Sequence, residues 1–389
     1  MTLVKTNKVK IVFGILYFLL LIPVFYSIYY SVPASDDFAM TLGKDAYANA
    51  FVEFLEAMKY FWLNRGGTII GFAVEILLNP LNLHIHLGHA YGLYMIVAFL
   101  ICYILIMYGV KTIISYLIIE SEHKSLLVMI CTFLTAVMLT ENYYYVEAYN
   151  WYVGMIAYPF NFAAMFLAVA FIIRFSQTGE RKFYIGMIIA GVISSNIAAF
   201  DIPIGVFFLY IVVIKNGFDR YVNGLIKKLL PLLFYIASGL TSVLSPGNFA
   251  RQSQYTEGIS LTSALIQTVA DIEFYGLAII KDRPFTLIIA VLLIALGFAT
   301  SSGKRKRPGN IILFSIAAAL IWIGLVLPYV YGRGMTRTYL DVRMQYALDY
   351  LIEISICAGC ILLGEWIGFL VKTDWQKVGY VSSGVLALL

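Results

Sequence analysis

The chain has 389 residues, of which 61% are hydrophobic and only 13% charged, with a mean hydropathy of +0.85. So few charges cannot cover a water-facing surface, which excludes a soluble protein and leaves a polytopic membrane protein. The net charge of +5 would point to acidic partners in a soluble domain, but in a membrane chain the basic residues orient the spans, and nucleic acid is not implied.

A membrane span needs about 20 apolar residues, or fewer where the segment is buried in protein. On that measure the sequence predicts spans near residues 11–31, 90–111, 125–140, 156–173, 183–200, 203–214, 229–244, 285–300, 310–331 and 346–371, with 378–389 beginning another. The expectation is therefore an all-α polytopic fold of about 10–11 transmembrane helices. The first span follows Lys5, Lys8 and Lys10 and is followed by Val32-Pro-Ala34, which looks like a signal-peptidase site. Its apolar run is too long for a usual signal segment, so an uncleaved first span is expected. The 203–214 segment is short and set off by Asp201-Ile-Pro203, so a hairpin that only partly enters the bilayer is as acceptable there as two full helices. With the amino terminus inside, the inner segments collect 18 of the 27 basic residues, including the run Lys304-Arg-Lys-Arg307. No internal repeat or soluble insertion is visible, so a single transmembrane domain, 1–389, is expected, with outer segments 32–89, 141–155, 245–284 and 332–345.

The outer segments depart from what lipid requires. Asp36 and Asp37 stand in Pro33-Ala-Ser-Asp-Asp-Phe38, directly after the first span. An acidic pair at the mouth of a membrane helix points to chemistry or ion handling, against the plainer alternative of a helix cap or a solvated loop. Tyr47, Phe51, Phe54, Leu55, Met58, Phe61 and Trp62 then share one helical face, which predicts an amphipathic helix on the membrane surface. Gly67 to Leu78 is a second apolar piece, too short to span and interrupted by Glu75; Asn64-Arg-Gly-Gly67, containing Arg65, lies between the two.

Three further outer clusters follow. Glu141 to Trp151 holds five aromatics together with Glu147 and Asn150, and Gly154 and Tyr158-Pro159 come next. Aromatics of this kind form an interfacial belt or bind sugar faces. Leu244-Ser-Pro-Gly-Asn-Phe-Ala-Arg-Gln252 breaks a helix and then presents Asn248 and Arg251. Tyr331 to Arg343 carries Arg333, Arg337 and Arg343 on the face that positive charge usually avoids, so these arginines need an anionic partner. His84, His86 and His89 have a spacing that allows metal convergence but also suits an ordinary interfacial loop. Cys102, Cys131, Cys357 and Cys360 all fall inside spans, where Cys357-Ala-Gly-Cys360 reads as helix packing rather than a redox pair.

Arginines that hold a phosphate, a carboxylate that accepts a proton from a hydroxyl and aromatic surfaces for sugar rings would together transfer a sugar from a lipid phosphate. Ser35-Asp-Asp-Phe38, Trp62-Leu-Asn-Arg65-Gly66, Asn150-Trp-Tyr-Val-Gly154 with Tyr158-Pro159, and Ser245-Pro-Gly-Asn248 with Arg251 occur in that order. On these motifs the chain resembles the GT-C superfamily of polyprenyl-phosphate-sugar glycosyltransferases, near an uncharacterised bacterial multi-pass family and the O-antigen glucosyltransferases. The resemblance implies an inverting hexosyl transfer on the extracytoplasmic face of the bacterial cell membrane. The donor would be a polyprenyl-phosphate-linked sugar and the acceptor a cell-surface glycan or lipid. Asp36 or Asp37 would be the catalytic base or the ligand of a divalent cation, Mg or Mn. Arg65, Arg251, Arg333, Arg337 and Arg343 are the candidates for the donor phosphate, and Glu147, Asn150, Trp151, Tyr158 and Asn248 those for sugar and acceptor. The alternative is a transporter or flippase of lipid-linked sugar or polysaccharide, which would want ionisable residues or broken helices near the membrane midplane and an inverted repeat.

Overall fold

The computed structural model describes residues 2–43, 49–118, 124–141, 145–211, 225–255, 259–301, 310–333 and 342–371. Every regular element among them is a helix, as expected where lipid leaves backbone groups no partner but their own turn. In chain order these are α1 (Thr2–Tyr29), α2 (Asp36–Ala39), α3 (Ala50–Asn64), α4 (Ile69–Leu77), α5 (Ala90–Leu117), α6 (Lys124–Thr140), α7 (Tyr145–Tyr149) and α8 (Tyr152–Met155). A π turn (Ile156–Phe160) leads into α9 (Asn161–Thr178), followed by α10 (Arg181–Ser195), α11 (Ala198–Leu209), α12 (Leu225–Val243) and α13 (Pro246–Tyr255). The chain continues with α14 (Leu261–Asp282), α15 (Pro284–Ser301), α16 (Ile311–Arg333) and α17 (Val342–Val371).

Among the described residues, six stretches are long and apolar enough to cross a membrane: Lys8–Tyr29, Ala90–Leu117, Tyr152–Thr178, Leu261–Asp282, Ile311–Gly332 and Met344–Val371. Lys124–Thr140, Ala198–Leu209, Leu229–Val243 and Pro284–Thr300 are apolar but shorter. This is an all-α protein built as a multi-pass membrane protein is. The ten complete spans read from the sequence coincide, over their described residues, with helices or the π turn, except that 183–200 is broken after Ser195 where the chain turns into α11. The addition is α14, in a segment read as an outer connection. Its apolar pattern is interrupted by Asp271, Glu273, Lys281 and Asp282, and Asp271 is buried, accepting a hydrogen bond from Gln267 Nε2 at 2.9 Å. The run that begins at 378 lies outside the described residues.

The centre of the bundle is α9, whose Phe162, Met165, Phe166, Val169 and Ile172 are fully buried between α5, α10 and α11. The α15 and α17 helices pack so closely that a side chain at Gly297 or Gly364 would collide with the other helix's backbone. All four cysteines are free and packed within helices, with Cys357 Sγ 3.7 Å from Met138 Sδ.

The first connection contains the expected surface helix. Asn49 caps α3 by accepting from the Phe51 amide at 2.8 Å, and Phe51, Val52, Leu55, Tyr60 and Leu63 are exposed along it. Phe61 turns inward and stacks on Phe72 of α4. Glu53, on the same helix, is buried. Both its carboxylate oxygens accept from the Gly43 amide at 2.7 Å, which ties the end of the acidic segment to α3.

Candidate functional site

The acidic pair occupies a strained corner. Ser35, directly before it, has φ 42°, a left-handed conformation that costs a non-glycine residue about 1–3 kcal/mol and persists only where surrounding contacts enforce it. Those contacts converge on Asp37. Its Oδ2 accepts from the Tyr91 hydroxyl at 2.7 Å and the Ala34 amide at 3.0 Å, and its Oδ1 accepts from the Val153 amide at 3.1 Å. Its backbone carbonyl accepts from Asn79 Nδ2 at 2.9 Å, and the Tyr91 hydroxyl in turn accepts from the Tyr152 amide at 3.0 Å. Asp37 is fully buried, and burial raises its pKa above the ordinary carboxylate value even though the three donors to its carboxylate pull the other way. The two aspartates therefore stand in different environments: Asp37 joins the first connection to α5 and α8, while Asp36, half-buried, lines an open cavity.

That cavity, of about 200 Å³, is completed by two segments that are remote in sequence. Ser245 Oγ donates to the Trp62 carbonyl at 2.5 Å, and Asn248 Nδ2 donates to the Ser242 carbonyl at 2.6 Å. Between these bonds the chains meet backbone on backbone. A Cβ on Gly247 would sit 2.6 Å from the Arg65 and Gly66 amide nitrogens, and one on Gly67 would strike the Ser242 backbone. Asn64-Arg-Gly-Gly67 and Ser245-Pro-Gly-Asn248 are thus two halves of one junction in which only glycine fits. The junction places Arg65, at the end of α3, and Arg251, on α13, in the same cavity wall as Asp36, Asn248 and Tyr158. Thr68 and Gly71, at the start of α4, line it as well, and Ile70 between them is held by its amide donating to Asn196 Oδ1 at 2.8 Å.

A second cavity, of about 310 Å³, shares Thr68, Tyr158, Ile197, Asn248 and Arg251 with the first and continues along Val243, Phe249, Pro328, Tyr329 and Met344. Its character is mostly apolar. A polar chamber with two carboxylates and two guanidinium groups therefore adjoins an apolar one across a common wall.

Of the other residues singled out in the sequence, Tyr158 and Asn248 face the cavities, whereas Glu147, Asn150 and Trp151 do not. Asn150 Nδ2 donates to Ser27 Oγ of α1 at 2.7 Å, and Trp151 Nε1 donates to the Ala34 carbonyl at 3.2 Å, so both brace the acidic corner from behind. Glu147 is exposed on α7. Arg333 and Arg343 belong to the ends of α16 and α17, and their side chains, like the whole of Arg337, lie outside the described residues. Tyr331 and Gly332, just before Arg333, reach the second cavity. Among the histidines, His89 stacks on Tyr29 with ring centroids 4.3 Å apart. Among the described residues no group of three His, Cys, Asp or Glu side chains is placed to hold a metal ion.

Two cavity residues carried no mark in the sequence reading. Glu75 appeared only as an interruption of a short apolar piece, and Asn161 was not singled out at all; both are buried in the cavity lining. A third feature, Arg283, sits between α14 and α15 and pairs with Asp349 at 2.6 Å and with Glu353, all three buried. None of the three lines either cavity.

No known protein family, no curated protein and no solved structure matches this chain.

Proposed function

We propose that the protein is a membrane glycosyltransferase that moves a sugar from a polyprenyl-phosphate donor to a cell-surface glycan or lipid acceptor on the extracytoplasmic face. The observation that carries this reading is one chamber holding Asp36, Arg65 and Arg251 beside an apolar chamber that shares Arg251. The donor phosphate would be held by the two arginines, with the isoprenoid in the apolar chamber. An acceptor hydroxyl attacks the anomeric carbon from the face opposite the phosphate and passes its proton to Asp36. The bond to the phosphate oxygen breaks, the lipid phosphate leaves as an anion, and the anomeric configuration inverts. Asp37 is a positioning residue in this scheme, because its hydrogen bonds fix the corner from which Asp36 projects. Where a divalent cation, Mg or Mn, takes part, Asp36 and Glu75 are the carboxylates available to hold it, and it would neutralise charge on the leaving phosphate.

The buried Arg283, Asp349 and Glu353 favour a second reading, a transporter of lipid-linked sugar or polysaccharide, because ionisable residues inside a membrane bundle mark pathways. The separating experiment uses purified protein with a polyprenyl-phosphate sugar and a glycan acceptor, following product by mass. A new glycosidic bond that disappears in Asp36→Asn supports transfer. Movement of lipid or sugar across vesicles without such a bond establishes transport instead.

A further inference from the structure

The face that α4 turns to the Asp36 chamber contains a gap. Thr68, Gly71, Phe72 and Glu75 line the chamber at helical spacing, along about 10 Å of axis at about 1.5 Å per residue. Gly71 is buried, yet a Cβ built on it would meet only Thr68 Cβ and Oγ1 among the described residues, at 3.7 and 3.9 Å, which is ordinary contact. Every other buried glycine among the described residues would bring its Cβ within 3.1 Å of another heavy atom, as Gly92 would against the Tyr29 backbone and Gly191 against the Tyr235 ring. Those glycines are explained by close packing. Gly71 is not, and its helical backbone is one that any residue adopts, while glycine weakens a helix relative to every residue except proline. A buried position with room beside it faces open space, and the space here is the chamber.

The order of the linings assigns that gap to one part of a donor. Thr68, Asn248 and Arg251 line both chambers, whereas Gly71, Phe72 and Glu75 share only the polar one with Asp36. A polyprenyl-phosphate sugar laid along this path has its lipid in the apolar chamber and its phosphate at the common wall. The next group, the sugar, then lies against Gly71 on the Asp36 side. We infer that Gly71 is a specificity-determining residue: its missing side chain is the room that receives the sugar ring of the donor. The inference rests on the glycosyl-transfer reading and deepens it by naming the position that sets how large a sugar the site admits. Phe72, whose ring is held by stacking on Phe61, and Glu75 continue the wall beyond the gap.

The test is calorimetric titration of the purified full chain in detergent, without acceptor. Two ligands are compared, a short-chain isoprenyl phosphate carrying glucose and the same isoprenyl phosphate without sugar. Valine is the diagnostic replacement, because its branched side chain cannot swing clear and it ranks above glycine as a helix former. In Gly71→Val the glucose form should bind at least about tenfold more weakly than in the parent while the sugar-free form stays within about threefold, since the obstruction is confined to the sugar. Gly71→Ala should fall between the parent and Gly71→Val, with a thermal midpoint no lower than the parent's. A glucose form that binds Gly71→Val within about threefold of the parent would overturn the inference alone. So would an equal loss for both ligands, or a lowered midpoint in Gly71→Ala, which would show that a methyl group has no room there. A parent that does not bind the glucose form would overturn the inference together with the transferase reading beneath it.

Discussion

Replacing each aspartate of the pair by asparagine should separate stability from turnover. In Asp37→Asn one oxygen can still serve Tyr91 and Ala34, but the new amide group then faces the Val153 amide, which loses its acceptor. An unsatisfied buried N–H costs about 1–3 kcal/mol, so a loss of about that size is expected. Asp36→Asn removes no such network and should leave stability within about 0.5 kcal/mol, while turnover falls by about two to four orders of magnitude. Thermal and denaturant unfolding in detergent, alongside the transfer assay, reads both quantities. The pH dependence has a defined sign. Because burial raises the Asp37 pKa above the ordinary 3.8, the folded state binds this proton more tightly than the unfolded one. Its contribution to stability is full below 3.8 and is lost as pH rises through the folded value; in Asp37→Asn that part of the profile should be flat. An Asp37→Asn protein as stable as the parent at neutral pH, or an Asp36→Asn protein with full turnover, would refute the division of roles.

Other outcomes follow from the same geometry. Arg251→Ala should weaken binding of the polyprenyl-phosphate donor by about 10- to 100-fold, measured by calorimetry, because a charge-assisted contact to phosphate contributes about 1.5–3 kcal/mol. Gly67→Ala should disturb the junction with Ser242 and lower the thermal midpoint, and donor binding should fall with it; an unchanged midpoint would show that the junction yields at no cost. Arg283→Met strands Asp349 and Glu353 without their counter-charge and should destabilise by about 3–5 kcal/mol in denaturant unfolding, against which an unaffected protein would count decisively. Cysteines placed at Arg174 and Arg181 should be labelled only from the cytoplasmic side, and those at Asp36 only from outside.

Much of the helix pattern was legible because a bilayer reduces the problem to apolar length, although among the described residues six stretches, rather than the ten read from the sequence, are long and apolar enough to cross it. The α14 helix escaped because its four charged residues hide a helix that buries Asp271 against its neighbours, a tertiary fact with no local signature. At the site, the order of motifs exposed Asp36, Arg65, Asn248 and Arg251, since polar residues at the ends of spans are costly and so conspicuous. The distinction between Asp36 and Asp37 was not legible. It depends on Tyr91 and Val153, and those are 54 and 116 residues further along the chain than Asp37. Asn150 and Trp151 carried the composition of a sugar platform, yet their polar hydrogens are directed at Ser27 and Ala34. Glu75 and Asn161 lay in apolar or aromatic surroundings, where pattern alone cannot tell a cavity wall from a packed core.

The bond from Ser245 to the Trp62 carbonyl spans 183 residues, and it has a bearing on biogenesis. While the chain emerges from the ribosome and enters the membrane, Arg65 and the glycines after it are present long before α12 and α13 exist to clasp them. A nascent chain that has passed only its first half can hold the acidic corner, since Asp37 needs nothing beyond Val153, but it cannot close the chamber. The chamber is therefore completed in a late step of insertion, and a ribosome stalled before residue 245 leaves the acidic corner built but the cavity beside it open.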